Sequence, residues 1–245
     1  MKHLLTAALT IAAGHASASL VLIGPLPSTG NGIGAVNTSL TLQNTGTESG
    51  CVAFNGTTST RGAASCPAGF AGGNESPGSS QTNVFTAAQL NFSGTVNFSN
   101  LVVLFNGNEG GAAADQAITL NLLGLSLYSS TGALLRTFTT TGPINFAAIF
   151  SGVGNAGFGF QLDAAQAAQA NAILAANPLL RIGTSATLSG AQGGPETIQL
   201  TTIGGGGTPD TSIPEPSTVV LLSAGMVLIG ASKLRKPAFT PISER

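Results

Sequence analysis

The chain has 245 residues, enough for one large domain or two small ones with a proper core. Only 7% of them are charged, against roughly 25% in ordinary soluble proteins, which excludes a long charged helix or coiled coil. Between residues 19 and 210, three cations (Arg61, Arg136, Arg181) stand against seven carboxylates (Glu48, Glu75, Glu109, Asp115, Asp163, Glu196, Asp210), a net of −4; nucleic-acid binding has no electrostatic footing there.

The first element in chain order is "MKHLLTAALTIAAGHASASL". A positive start, an apolar stretch from Leu4 to Ala13 and small residues at Ala16 and Ala18 fit a secretory signal peptide over 1–18, cleaved after Ala18. Cleavage removes His3 and His15 and leaves residues 19–210 without His or Lys, poor equipment for acid–base chemistry. Cys51 and Cys66 then lie in an oxidising setting and are expected to form a disulfide. For a loop of roughly 15 residues the chain-entropy term is about 3 kcal/mol, enough to pin the Gly/Ser/Thr/Asn-rich stretch 55–82 as a long loop. A metal site at the cysteines has no third Cys or His to complete it.

The body, 19–203, carries short apolar runs punctuated by Gly, Asn, Ser and Thr, the pattern of strands. Strands are predicted at 39–43, 95–98, 101–105, 117–128, 133–138, 157–162, 180–188 and 196–202. In 117–128 the apolar phase slips at Leu123, which predicts a bulge near Gly124. "SSTG" at 129–132 reads as a four-residue hairpin loop. One helix is predicted over 164–176: Asp163 is its N-cap, eight alanines fill it, and Asn177-Pro178 end it. The fold class expected is mainly β, an antiparallel jelly-roll-like sandwich with one inserted helix.

After the body come a Gly-rich linker at 204–213 and then "PEPSTVVLLSAGMVLIGASKLRKP". The run from Ser217 to Ser232 holds 16 uncharged residues. As a helix it spans about 24 Å, somewhat short of a hydrocarbon core near 30 Å. Lys233, Arg235 and Lys236 follow it as an inside anchor, so one transmembrane helix is expected. A short polar tail, 237–245, closes the chain. Pro214-Glu215-Pro216, the apolar run and the basic cluster together resemble the PEP-CTERM sorting signal of Gram-negative bacteria over about 25 residues. The departure is "AFTPISER", which extends beyond the usual end of the motif. The resemblance implies processing by an exosortase at the inner membrane and delivery to the envelope or an exopolysaccharide matrix. The two prolines, which cannot donate backbone hydrogen bonds, would keep the strip extended for that enzyme.

Other motifs carry less. "LPSTG" at 26–30 matches a sortase pentapeptide but stands far from any C-terminal span. "GVGNAG" at 152–157 satisfies G-x-G-x-x-G but precedes a strand, where no helix opens for a phosphate. Asn106, Asn108, Glu109 and Asp115 are oxygen-bearing calcium candidates at a spacing that matches no known calcium loop. Glu109, Asp115, Asp163 and Glu196 single out no hydrolytic pair. No Trp and one Tyr, Tyr128, leave little for stacking on sugars, and the twelve Phe read as core. The expectation is an exported, non-enzymatic surface or biofilm-matrix protein without a cofactor. Its partners would be the exosortase, the inner membrane and an exopolysaccharide, with no nucleic acid. A calcium- or carbohydrate-binding adhesion module and a carboxylate-dependent hydrolase are the alternatives.

Overall fold

The computed structural model describes residues 20–26, 37–92, 97–107, 117–146 and 157–203. The signal segment with Ala16 and Ala18, the sorting motif Pro214-Glu215-Pro216, the apolar run 217–232 and the basic residues Lys233, Arg235 and Lys236 lie outside them. Among the described residues no helix is long and apolar enough to cross a membrane.

The described elements are β1 (Leu20–Leu26), β2 (Thr38–Leu42), β3 (Thr45–Phe54), β4 (Ser59–Arg61), β5 (Phe85–Thr86), β6 (Leu101–Asn106), β7 (Ile118–Tyr128), β8 (Leu134–Thr139), β9 (Ile144–Phe146), β10 (Gly157–Leu162), α1 (Ala164–Ala176), β11 (Arg181–Gln192) and β12 (Glu196–Thr202). They form a mainly antiparallel, β-sandwich-like fold with a single helix. One sheet runs β1-β10-β6-β12-β2; the other runs β4-β3-β11-β7-β8, with β5 beside β11 and β9 beside β7. Successive strands change sheet at β2–β3, β5–β6, β6–β7, β9–β10, β10–β11 and β11–β12, and each sheet buries one face against the other.

Alternation explains the core. Leu101, Val103, Phe105, Ile198 and Leu200 come from the first sheet and Leu123, Leu125, Leu127, Ile182, Ala186 and Leu188 from the second, all buried in one cluster. The slip in β7 is real: Leu122 pairs with Thr187 and Leu120 with Leu188, so Asn121 is the extra residue. The bulge thus sits at Asn121, three residues before Gly124, and lets Leu120 and Leu123 both face inward. The following hairpin loop is one residue longer than its sequence implied, since β8 begins at Leu134.

Helix α1 spans Ala164–Ala176, and the Asp163 side chain accepts from Gln166 N at its start. Ala167 and Ala170 pack into the core, with Ile173 and Leu174 partly buried against it. Asn177 closes the helix, its N–H donating to the carbonyls of Ile173 and Leu174.

The strand expected at 95–98 is corrected where it is described. Asn97 and Phe98 form a turn: Ser99 N donates to Asn97 Oδ1 at 2.8 Å and Phe98 N to Asn171 Oδ1 at 3.0 Å. The local asparagine bond offers the backbone an alternative to the sheet ladder. Strands β1, β3, β4, β5 and β9 had no counterpart in the sequence reading.

Candidate functional site

The loop after β3 is held by three devices. Cys51 and Cys66 form the expected disulfide, with an S–S distance of 2.07 Å and Cα atoms 5.4 Å apart. Beside it, Glu75 Oε1 accepts from Cys51 N at 2.9 Å and Gly62 N at 3.2 Å, and Oε2 accepts from Gly73 N at 2.9 Å. Ser49 Oγ accepts from Ala71 N and Gly72 N, and Asn74 Oδ1 accepts from Ser49 N. The loop therefore lies over the outer face of the second sheet. Phe70 sits on it where β7 has no side chain: a Cβ at Gly124 would come within 2.8 Å of the Phe70 ring. Both cysteine sulfurs are taken by the disulfide, so their closeness to the Glu75 carboxylate makes no metal site.

Next to this loop, an open cleft of about 570 Å³ lies between the β3–β4 turn, the 78–84 segment, β5 and the start of β11. Arg61 and Arg181 both line it, and no carboxylate does. Strand pairing brings them together: Arg61 is opposite Val52 of β3, while Arg181 is opposite Thr86 of β5 and Tyr128 of β7. Arg181 is fixed in place, its Nη1 donating to Leu179 O at 2.7 Å and its guanidinium 5.1 Å from the Phe54 ring centroid. Arg61 is exposed. Two lining amides have their oxygens engaged: Asn83 Oδ1 accepts from Ser59 Oγ at 2.6 Å, and Gln89 Oε1 accepts from Thr86 N at 2.8 Å. What the amides have left to offer is N–H donors. The wall thus carries positive charge and donors in a body whose sequence is otherwise mildly acidic.

Of the other residues singled out from sequence, Asn106 ends β6, is 6% exposed, and its Oδ1 has no hydrogen-bond partner. Its companions Asn108, Glu109 and Asp115 lie outside the described residues. Asp163 caps α1, and Glu196 begins β12, 1% exposed. The ten described phenylalanines are buried or partly buried, as expected of core. Sequence reasoning missed Glu75 and the arginine cleft. The available signal was that the body's only cations are three isolated arginines, two of them placed 120 positions apart. Comparison with protein-family models, with characterised proteins and with solved structures finds no match.

Proposed function

We propose that the chain is an exported, non-catalytic structural protein of the cell surface or extracellular matrix, sorted through its C-terminal segment and processed by an exosortase. The observation that carries this reading is the Cys51–Cys66 disulfide, which persists in oxidising compartments and ties the stretch after β4 back to β3. The route is supplied by the sequence: a signal segment at the start, and Pro214-Glu215-Pro216, an apolar run and Lys233, Arg235 and Lys236 at the end. We read the two-sheet arrangement as jelly-roll-like, because its strands nest as successive antiparallel pairs that cross between layers. Glu75 and Asp163 support a structural reading further, since their carboxylates are engaged by backbone N–H groups and hold the fold.

The test is location. Intact cells treated with a membrane-impermeant label carry it on this protein, and the mature form lacks residues 1–18 by mass spectrometry. Changing Lys233, Arg235 and Lys236 together to Gln weakens membrane retention and slows C-terminal processing. Full-length protein found only in the cytosol would end the reading.

A further inference from the structure

We propose that the cleft between β4, β5 and the start of β11 binds an acidic oligosaccharide, a run of sugar rings bearing carboxylate or sulfate groups. The walls supply the complement of such a ligand and of few others. Arg61 and Arg181 provide guanidinium forks, which match planar or tetrahedral oxyanions in two-point contacts. Asn83 and Gln89 add amide N–H groups, and Thr58 and Ser79 add hydroxyls, the pairing partners of ring hydroxyls. With no carboxylate in the lining, nothing in it neutralises the two cations.

Competing ligand classes fit worse. The one aromatic face in the lining, Phe54, is covered by the Arg181 guanidinium, so a nucleobase has no stacking platform. Phe54 and Val84 are the only large apolar residues among the lining, too few for an acyl chain or an apolar peptide anchor. A lone inorganic anion would leave most of about 570 Å³ unfilled. Ring hydroxyls spread along an open wall, with an oxyanion at the arginines, use both the length and the charge. This inference does not depend on the export route, because it rests only on the cleft.

The experiment is affinity electrophoresis of the purified full chain through gels containing polygalacturonate, dextran sulfate or neutral dextran. Retardation is expected in an anionic gel and absent in dextran, and the stronger of the two anionic gels identifies the oxyanion. Arg181→Gln weakens retention about tenfold, as loss of a charged hydrogen-bonding group does, and exposed Arg61→Gln weakens it about threefold. Arg136→Gln, on β8, leaves retention unchanged and controls for general charge. Since Arg181 also supports its own chain through Leu179, Gln89→Glu is the second variant. It keeps the oxygen that accepts from Thr86, adds a negative charge to the cleft, and abolishes retention without lowering the melting temperature. Equal retardation in dextran, no retardation in either anionic gel, or wild-type retention in Arg61→Gln and Gln89→Glu would overturn the proposal. Surface labelling, scored separately, is unchanged by these variants, so loss of binding and loss of export are distinct results.

Discussion

Tyr128 is the chain's single tyrosine, and its ring is 3% exposed among Val52, Ala53, Phe54 and Val84. Its hydroxyl has no partner in hydrogen-bonding geometry, the nearby Ser126 hydroxyl being paired with Thr137 at 3.1 Å. Burial raises the phenol's pKa above the ordinary value of 10.0, and the Ser126 hydroxyl pulls weakly the other way. Above about pH 10 the unfolded chain gives up this proton while the folded one retains it. Stability contributed by the neutral phenol is therefore full below that pH and falls as pH rises toward the folded value. Tyr128→Phe is expected to remove this part of the alkaline fall. At pH 7 it should leave stability unchanged or raise it by up to about 1 kcal/mol, because a buried hydroxyl without a partner is relieved. Urea unfolding of both proteins at pH 7 and pH 11 measures this; identical alkaline slopes would show that the phenol ionises equally in both states.

At the scale of elements, helix α1 was legible because its signals are local: Asp163, the alanines and Asn177-Pro178 lie within one short stretch. Asp163→Ala is expected to cost about 1 kcal/mol, a fall in melting temperature of roughly 2–4 °C for a domain of this size. Asp163→Asn should restore most of it, since Asn also accepts from Gln166 N. A melting curve for Asp163→Ala that superimposes on wild type would mean that tertiary packing alone holds the first turn. The bulge in β7 was legible for a similar reason, a change of apolar phase within one strand. Strand β3 was not. Its "TGTESGCVAF" has no apolar alternation, because its small residues are set by what lies across from them. At Gly50, a Cβ would collide with the Leu42 side chain of β2 and come within 2.8 Å of Glu75 Cγ. Both neighbours are brought there by the fold, Glu75 from 25 residues away in the chain, and local propensity registers neither. The cleft was hidden by the same kind of separation, since Arg61 on β4 and Arg181 on β11 come to one side only because both strands flank β3.

For the whole molecule, the question is whether the loop over the second sheet is part of the sandwich or a separate layer. The two sheets share one continuous apolar cluster, built from leucines, phenylalanines and isoleucines. The loop adds Phe70 to the outer face and is attached by the disulfide cross-link, by polar contacts of the Glu75 carboxylate, Ser49 Oγ and Asn74, and by backbone hydrogen bonds of Asn74 and Ser76 to the end of β2. Apolar burial stabilises the sheets independently of these contacts, whereas the loop depends on the cross-link to keep its entropy low. Cys51→Ser combined with Cys66→Ser should therefore lower stability by about 3 kcal/mol, roughly 6–12 °C in melting temperature. The change should also be uneven. Hydrogen exchange at the amides of Gly62, Ala71, Gly72 and Gly73 should accelerate strongly, while amides in the β11–β7 ladder, between Ile182 and Thr187, stay protected up to global unfolding. Equal acceleration in the loop and in that ladder would mean that the disulfide holds the sandwich together and that the loop is structurally part of its core. Retained loop protection in the double variant would assign the pinning to Glu75 and Ser49, whose hydrogen bonds to the loop backbone do not require the sulfurs.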